Sequence, residues 1–303
     1  MIKGLAITPP TLGRISIGKV VEKAGKRLPE KDDQFTITTQ VQNKDGWVLH
    51  PMNEQLRKDV PNGKLRSIPV RMLFNDPDLN LRAAYTLFDR SKGRPLCVGD
   101  GETCRRVQNG GVETLPCPSP DVCEVGSGAC KPFGRLSVRV SEDDELGSFI
   151  FRTTGFNSIR VLTARLSYLS AVSGNRLAYL PLELRLRGKS TTQSHRAPIY
   201  YVDLTLREGM TLADAVAKAK ELEEQQQQAG ICQKALDDAA RAGFGNGISE
   251  ESVEDTPALL EEFFADDAGA HAEAGNTPPP SGSLKGKLGQ KANGQTTPVA
   301  GAA

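Results

Sequence analysis

Apolar and polar residues alternate one for one in several short stretches of this chain, and each stretch predicts a half-buried strand. LGRISIGKVV sets Ile15 and Ile17 against Leu12, Arg14 and Ser16, and QFTITTQ (34–40) puts Phe35 and Ile37 on one face. A turn around Gly25 joins them as a hairpin. KLRSIPVRMLF and AAYTLFD predict two more strands separated by the turn sequence NDPDLN. GRLSVRVS sets Leu136, Val138 and Val140 against Arg135, Arg139 and Ser141, and SFIFRTTG follows across the charged turn EDDELG as a second hairpin. Residues 179–187 and 199–206 alternate again around the polar loop GKSTTQSHRA.

Elsewhere the period lengthens. Ile159, Leu162, Leu166 and Leu169 recur at helical spacing over 156–172, with Gly174 as a stop. Beyond the only tryptophan, Trp47, VLHPMNEQLRKDV predicts a short amphipathic helix beginning near Pro51. Residues 210–243 predict a long helical stretch capped by Thr211 and interrupted at Gly230. Its apolar stripe, Leu212, Val216, Ala219 and Leu222, then Ile231, Ala235 and Ala239, favours a helix laid on the sheet over a coiled-coil arm. The fold class expected is α+β: antiparallel strands, a packed central helix and a C-terminal helix.

Composition divides the chain of 303 residues, 38% of them hydrophobic, into a core and a tail. Residues 1–208 predict the core domain and 209–243 a helical segment. Residues 244–303 predict an acidic linker with a short helix, then a tail disordered from 269 onward. The short helix falls in 253–267, where Thr256 caps, Pro257 begins, and Leu259, Leu260, Phe263 and Phe264 form an apolar patch. Such a helix cannot bury itself alone, so it is expected to bind a partner protein or, alternatively, to pack back on the body. No apolar run reaches the length of a membrane span, and a soluble, cytoplasmic protein is expected. The net charge of +1 conceals an asymmetry. From Glu250 onward nine carboxylates face three lysines, which leaves 35 basic and 28 acidic residues, plus 7, on residues 1–249. That balance admits contact with a polyanion without requiring it.

Candidate chemistry is concentrated in cysteine. Cys97, Cys104, Cys117, Cys123 and Cys130 lie within 34 residues on Gly- and Pro-rich sequence, separated by six, twelve, five and six residues. Thiols so gathered point to a structural zinc site stapling the loop 97–130. Disulfides and unpaired structural thiols are the alternatives. Disulfides need an oxidising compartment, yet Pro9 and Pro10 stand where a signal peptide carries its apolar run, and five cysteines leave one over. Four ligands close such a site, so one cysteine is a spectator. The set expected is Cys104, Cys117, Cys123 and Cys130, with Cys97 as the substitute. A closed site has no vacancy for an activated water.

Enzymatic signatures are absent from the sequence. His50, His195 and His271 are scattered without a metal-binding or catalytic spacing. GKSTT at Gly188 lacks the upstream glycine of a phosphate loop, and no nucleophile elbow appears.

Several of these segments occur together in a recognisable order. LGRISIG, RLPEKDDQFTITT, a cysteine cluster with PCP and ACKPFGRLSVRV, and LGSFIFRTTGFNSIRVLTARL make residues 10–206 resemble the recombination directionality factor-like family of phages and integrative elements. The resemblance implies a metal-binding protein, matches the family's cysteines to Cys104, Cys117, Cys123 and Cys130, and implies a site-specific integrase as partner. The best understood members bind a phage serine integrase on its DNA and turn insertion into excision. Three functions are therefore in view. The favoured one is a non-enzymatic accessory factor that binds a recombination protein. The second is a zinc-stapled nucleic-acid-binding accessory, with Arg105, Arg106, Lys131, Arg135 and Arg139 on phosphates. The third is the hydrolase that a loose family label suggests and these residues do not support.

Overall fold

The computed structural model describes residues 9–23, 26–44, 46–58, 60–126, 128–140, 147–190, 192, 196 and 198–243, together with Leu259 and Phe263. The chain divides into units of residues 1–265 and 266–303, and the second lies outside the described residues, as does the tail expected to be disordered.

The expected first hairpin is present and longer than the alternation predicts. β1 (Thr11–Lys23) pairs with β2 (Lys26–Asn43) from Arg14↔Thr38 to Lys23↔Lys26, with the register shifting near Gly18. β3 (Gly46–Leu49) extends β2, and α1 (Pro51–Lys58) begins at Pro51 as predicted. The buried Asn53 side chain fastens α1 to the sheet, its Oδ1 accepting the Ile37 N–H at 3.1 Å. β4 (Ser67–Met72), a single-turn helix α2 (Pro77–Asn80) and β5 (Leu81–Phe88) follow.

NDPDLN is more than a turn. Asp76 caps α2 by accepting the Asp78 N–H, and Pro77 fills the first helical position. Asn80, wholly buried, accepts from the N–H groups of Leu73 and Phe74, both at 3.0 Å. It also donates to the carbonyls of Phe74 (2.7 Å) and Asp76 (2.9 Å). Asn75 reaches outward: its side chain accepts the Ala178 N–H at 3.0 Å, and its own N–H donates to the Asp237 carboxylate at 3.2 Å.

The segment expected to be a stapled loop is largely strand. β6 (Pro95–Gly99), β7 (Thr103–Gln108) and β8 (Gly111–Pro116) form an antiparallel meander on the edge of β5. Its tight turn, Asn109–Gly110, has positive φ at both positions (51° and 78°), the backbone that matches strand twist in a two-residue hairpin. Then come β9 (Lys131–Arg139), β10 (Ser148–Thr153), α3 (Phe156–Val172), β11 (Leu182–Ser190) and β12 (Pro198–Leu206). Strand order is β3-β2-β1-β10-β9-β5-β6-β7-β8, with β4 bridging β9 to β11 and β12 outermost on β11. Among the described residues every pairing is antiparallel except β1 with β10. The sheet curls until its two sides meet: the Phe35 N–H donates to the Leu65 carbonyl (2.7 Å) and the Leu186 N–H to that of Arg66 (2.8 Å), while Asp33 takes Lys64 and Arg66.

The concave side is the core. Ile15, Phe35, Ile37, Leu136, Val138, Phe149, Phe151, Leu184 and Val202 are buried there, closed over by Leu162, Leu166 and Leu169 of α3 as the helical stripe predicts. Burying each such side chain contributes about 1.5–3 kcal/mol, so the apolar face of α3 holds it in place.

At the C-terminal side, Gly230 (φ 82°) divides the helical stretch into α4 (Leu212–Gln228) and α5 (Gln233–Gly243). Thr211 Oγ1 caps α4 by accepting the Asp214 N–H. Two details of the expected stripe are corrected. Ala215 and Ala219 face the core while Leu212 is exposed. In α5 the buried positions are Gln233, Asp237 and Ala240, while Ala235 and Ala239 are exposed, as is Ile231 just before the helix. The reason is polar: Gln233 Nε2 donates to the Leu73 carbonyl (2.9 Å), and Asp237 receives Asn75, so backbone groups near Asn75 choose the face.

Candidate functional site

Three of the five clustered cysteines, Cys97, Cys104 and Cys123, surround one side chain, Arg106, and Cys117 and Cys130 adjoin them. Cys97 on β6 stands opposite Arg106 on β7, and Cys104 stands opposite Gly99. Cys117 follows β8, its N–H held by the Glu102 carbonyl at 2.8 Å. Asp100 shapes the β6–β7 turn by accepting the N–H groups of Glu102 and Thr103, and these bonds lower its carboxyl below the usual range. Gly99 permits the next contact. A Cβ there would come within 2.7 Å of Cys104 Cβ and 2.9 Å of Cys117 Sγ, so only glycine lets these two approach.

The other two cysteines meet over a second glycine. A Cβ on Gly126 would lie 2.9 Å from Cys130 Cβ and 3.7 Å from Cys123 Sγ. Arg106 Nη2 reaches a thiol of each pair, 4.0 Å from both Cys104 Sγ and Cys123 Sγ. Contact with Cys97 and the surrounding thiols raises the Arg106 pKa further.

All six cysteines are free thiols. Burial, reinforced by a bond with Cys97, pushes the Cys104 thiol up to about 11. Burial does the same for Cys130, also to about 11, with Cys97 and Cys123 adding to the effect. An activated nucleophile needs the opposite shift. Among the described residues no three His, Cys, Asp or Glu side chains are placed to hold one ion. The expected ligands are thus gathered as two pairs, Cys104 with Cys117 and Cys123 with Cys130, with the guanidinium reaching both.

The remaining candidate residues are dispersed. His50 Nδ1 accepts the Met52 N–H at 3.2 Å and its ring packs edge-on against Phe149 at 5.0 Å; burial lowers its pKa. His195 and His271 lie outside the described residues. Gly188, Lys189 and Ser190 of GKSTT lie within β11, paired with β12, and open no helix. Of the basic residues proposed for phosphate contact, Arg106 turns toward the thiols. Lys131, Arg135 and Arg139 lie on β9.

The segment 253–267 is corrected in part. Leu259 and Phe263, expected to face a partner, are buried against Phe88 and Phe133, with Phe263 at 4.7 Å and 5.8 Å from their ring centres. Leu260, Phe264 and the rest of 253–267 lie outside the described residues. Sequence periodicity named the apolar patch but not its receptor. Phe88 and Phe133 project on the side of the sheet away from the main core, where a strand pattern gives no cue to a partner.

No helix of the described residues is long and apolar enough to cross a membrane. No curated protein and no solved structure matches the chain. The model of the Gp3-like family, described as recombination directionality factor-like, matches residues 12–207, from the start of β1 to just past the end of β12. The chain belongs to the Gp3-like, recombination directionality factor-like family.

Proposed function

We propose that this protein is a non-enzymatic accessory factor of a mobile genetic element, acting in the cytoplasm, that biases site-specific recombination by binding an integrase. The observation that carries the reading is the family match, which takes in the whole curled sheet, the cysteine meander and α3. The chemistry agrees with binding better than with catalysis. His50 is committed to the start of α1. A binding factor works by preferring one state of its partner; several kcal/mol of preference reverses a one-way equilibrium.

The meander offers the partner-facing surface. Val107 and Val112 oppose one another across the β7–β8 hairpin and are exposed, as are Val122 and Val125 on the turn that follows. Exposed apolar residues grouped on one projecting element mark interaction sites.

Zinc belongs to the same proposal. The donors suit it in kind, four soft thiols in two pairs, each pair brought together over a glycine; no three are placed to hold one ion as they stand, so binding would have to draw the two pairs together. Cys104, Cys117, Cys123 and Cys130 would hold the ion, with Cys97 as the substitute. When bound, it supplies a crosslink between the meander and the segment entering β9. The functional test is an in vitro recombination assay with the integrase of the same element, scoring excision with and without this protein. A shift toward excision together with integrase binding is expected. Neither effect appearing rejects the proposal.

A further inference from the structure

Among the described residues the sheet ends in three edge strands, β3 and β8 on its main path and β12 on its branch. The outer row of N–H and C=O groups on such a strand can receive another strand, and natural sheets guard it. β12 is guarded. Its pairing with β11, and the bond from the Arg207 N–H to the Pro181 carbonyl, turn the N–H groups of Val202 and Leu204 away from β11. Ser158 Oγ of α3 accepts the first at 3.1 Å, and the Asp203 carboxylate accepts the second at 2.9 Å. β3 is four residues long. β8 has six residues, no bulge, no lysine, and no proline before its last position.

The register of the β7–β8 hairpin determines what β8 presents. Gln108 faces Gly111 across the two-residue turn, and just past β8 the Cys117 N–H donates to the Glu102 carbonyl. Residues 111, 113 and 115 therefore bond toward β7, and Val112 and Thr114 direct their N–H and C=O groups outward. On that side β8 has no second strand among the described residues, and residues 111–114 are exposed.

Side chains decide which strand fits this edge. Val112 and Thr114 share a face with Val107, and Glu113 stands on the other, opposite Arg106. In antiparallel pairing with the β8 of a second copy, one register satisfies the outward N–H and C=O groups of both residues. It sets Val112 against Thr114 and Glu113 against Glu113, so like charges are directly opposed. A lysine or arginine in that place turns the repulsion into a cross-strand ion pair. The surrounding charge favours the same partner: residues 95–130 carry five carboxylates and two arginines, minus 3, on a body that is otherwise basic.

We propose that β8 receives one extended segment of a partner protein, apolar and basic residues in alternation, added antiparallel to its edge. Apolar residues of the segment lie on Val107 and Val112, a basic residue lies beside Glu113, and Val112 and Thr114 supply main-chain bonds along a strand about 20 Å long. The inference rests on the accessory-factor reading for the identity of that partner. Its test uses a peptide, so an absent effect on excision fails that reading alone.

The isotope-labelled full chain is titrated with acetyl-Val-Lys-Val-Lys-Val-Lys-amide and with the same peptide carrying Glu in place of Lys, and followed by amide NMR. The lysine peptide is expected to shift the Val112 and Thr114 amide signals and to slow their exchange with solvent by about tenfold. It is expected to bind about fivefold or more tightly than the glutamate peptide. Thr114→Pro removes an N–H that the hairpin does not use, a change that an edge strand tolerates, and should abolish binding. Glu113→Gln keeps every main-chain group and is expected to reduce the preference for lysine by about two- to fivefold. The proposal is overturned if the Val112 and Thr114 amides do not respond, if Thr114→Pro binds as wild type does, or if Glu113→Gln leaves the preference unchanged. A dimer of the chain that Thr114→Pro breaks would give the edge to a second copy and overturn it as well.

Discussion

Replacing Asn80 by alanine removes the side chain on which the β4–β5 connection is built. Four hydrogen bonds disappear together, two accepted from Leu73 and Phe74 and two donated to Phe74 and Asp76. The donors left behind are buried, since Leu73 and Phe74 are at most 1% exposed. A buried backbone N–H without a partner costs about 1–3 kcal/mol, so the two together cost about 2–6. A water admitted to the vacated volume recovers part of this, which places the expected loss at about 3–4 kcal/mol. Against a typical total of about 5–15 kcal/mol the change is severe. Urea denaturation followed by Trp47 fluorescence and far-UV circular dichroism reads it as a midpoint lowered by about 1–2 M at unchanged m. Asn80→Asp separates the two halves of the role. It keeps the acceptors but turns an oxygen toward two carbonyls, so at neutral pH it is expected to be as damaging. A loss below about 1 kcal/mol for Asn80→Ala would refute the reasoning, because the unsatisfied donors would then have found partners at little cost.

Metal analysis of the purified chain should find about one zinc, lost in Cys117→Ser and Cys130→Ser and kept in Cys232→Ser, the last being exposed and outside the cluster. Equal zinc in all three variants rejects the ligand set. Val107→Asp with Val112→Lys, which sets opposite charges across the hairpin, should abolish the effect on excision while leaving the unfolding free energy within about 0.5 kcal/mol of wild type, since both residues are exposed. His50 gives a pH dependence whose sign is fixed: burial lowers its folded pKa below 6.5, so the unfolded chain binds the proton more readily. Its contribution to stability is whole above pH 6.5 and declines as pH falls toward the folded value, and thermal melts of His50→Gln should show a flatter profile between about pH 7 and 5.

The parts of the fold that were legible in sequence are those in which one face meets the main core. Ile15 with Ile17, Phe35 with Ile37, and Leu136 with Val138 alternate because a half-buried strand demands it, and α3 shows its stripe for the same reason. Thr211 and Gly230 announced the ends of α4 because capping and positive φ are local requirements. Where polar bonds decide orientation, the apolar pattern misled, and Gln233 and Asp237 displaced Ala235 and Ala239 from the buried face of α5. The meander escapes the pattern because β7 and β8 are largely exposed and show no apolar alternation, so that Asn109–Gly110 is the local signal of its hairpin. The spacing of the cysteines indicates a cluster, but not that Arg106 reaches into it. Nothing in a linear pattern says that a cation on β7 turns inward.

The parallel pairing of β1 with β10 has a consequence in time. Thr11 of β1 adjoins Ser148 of β10, so the first strand finds its neighbour only after about 140 further residues exist. At ribosomal rates of about 5–20 residues per second that interval is roughly 7–28 s, far longer than the microseconds in which the β1–β2 hairpin can form. Throughout it, the hairpin displays Ile15, Phe35 and Ile37 with no α3 to cover them and an unpaired edge on β1, the combination that templates aggregation. Synthesis interrupted between the meander and β10 therefore releases the most adhesive form of the chain. The yield of native protein will depend on how that edge is shielded while translation continues.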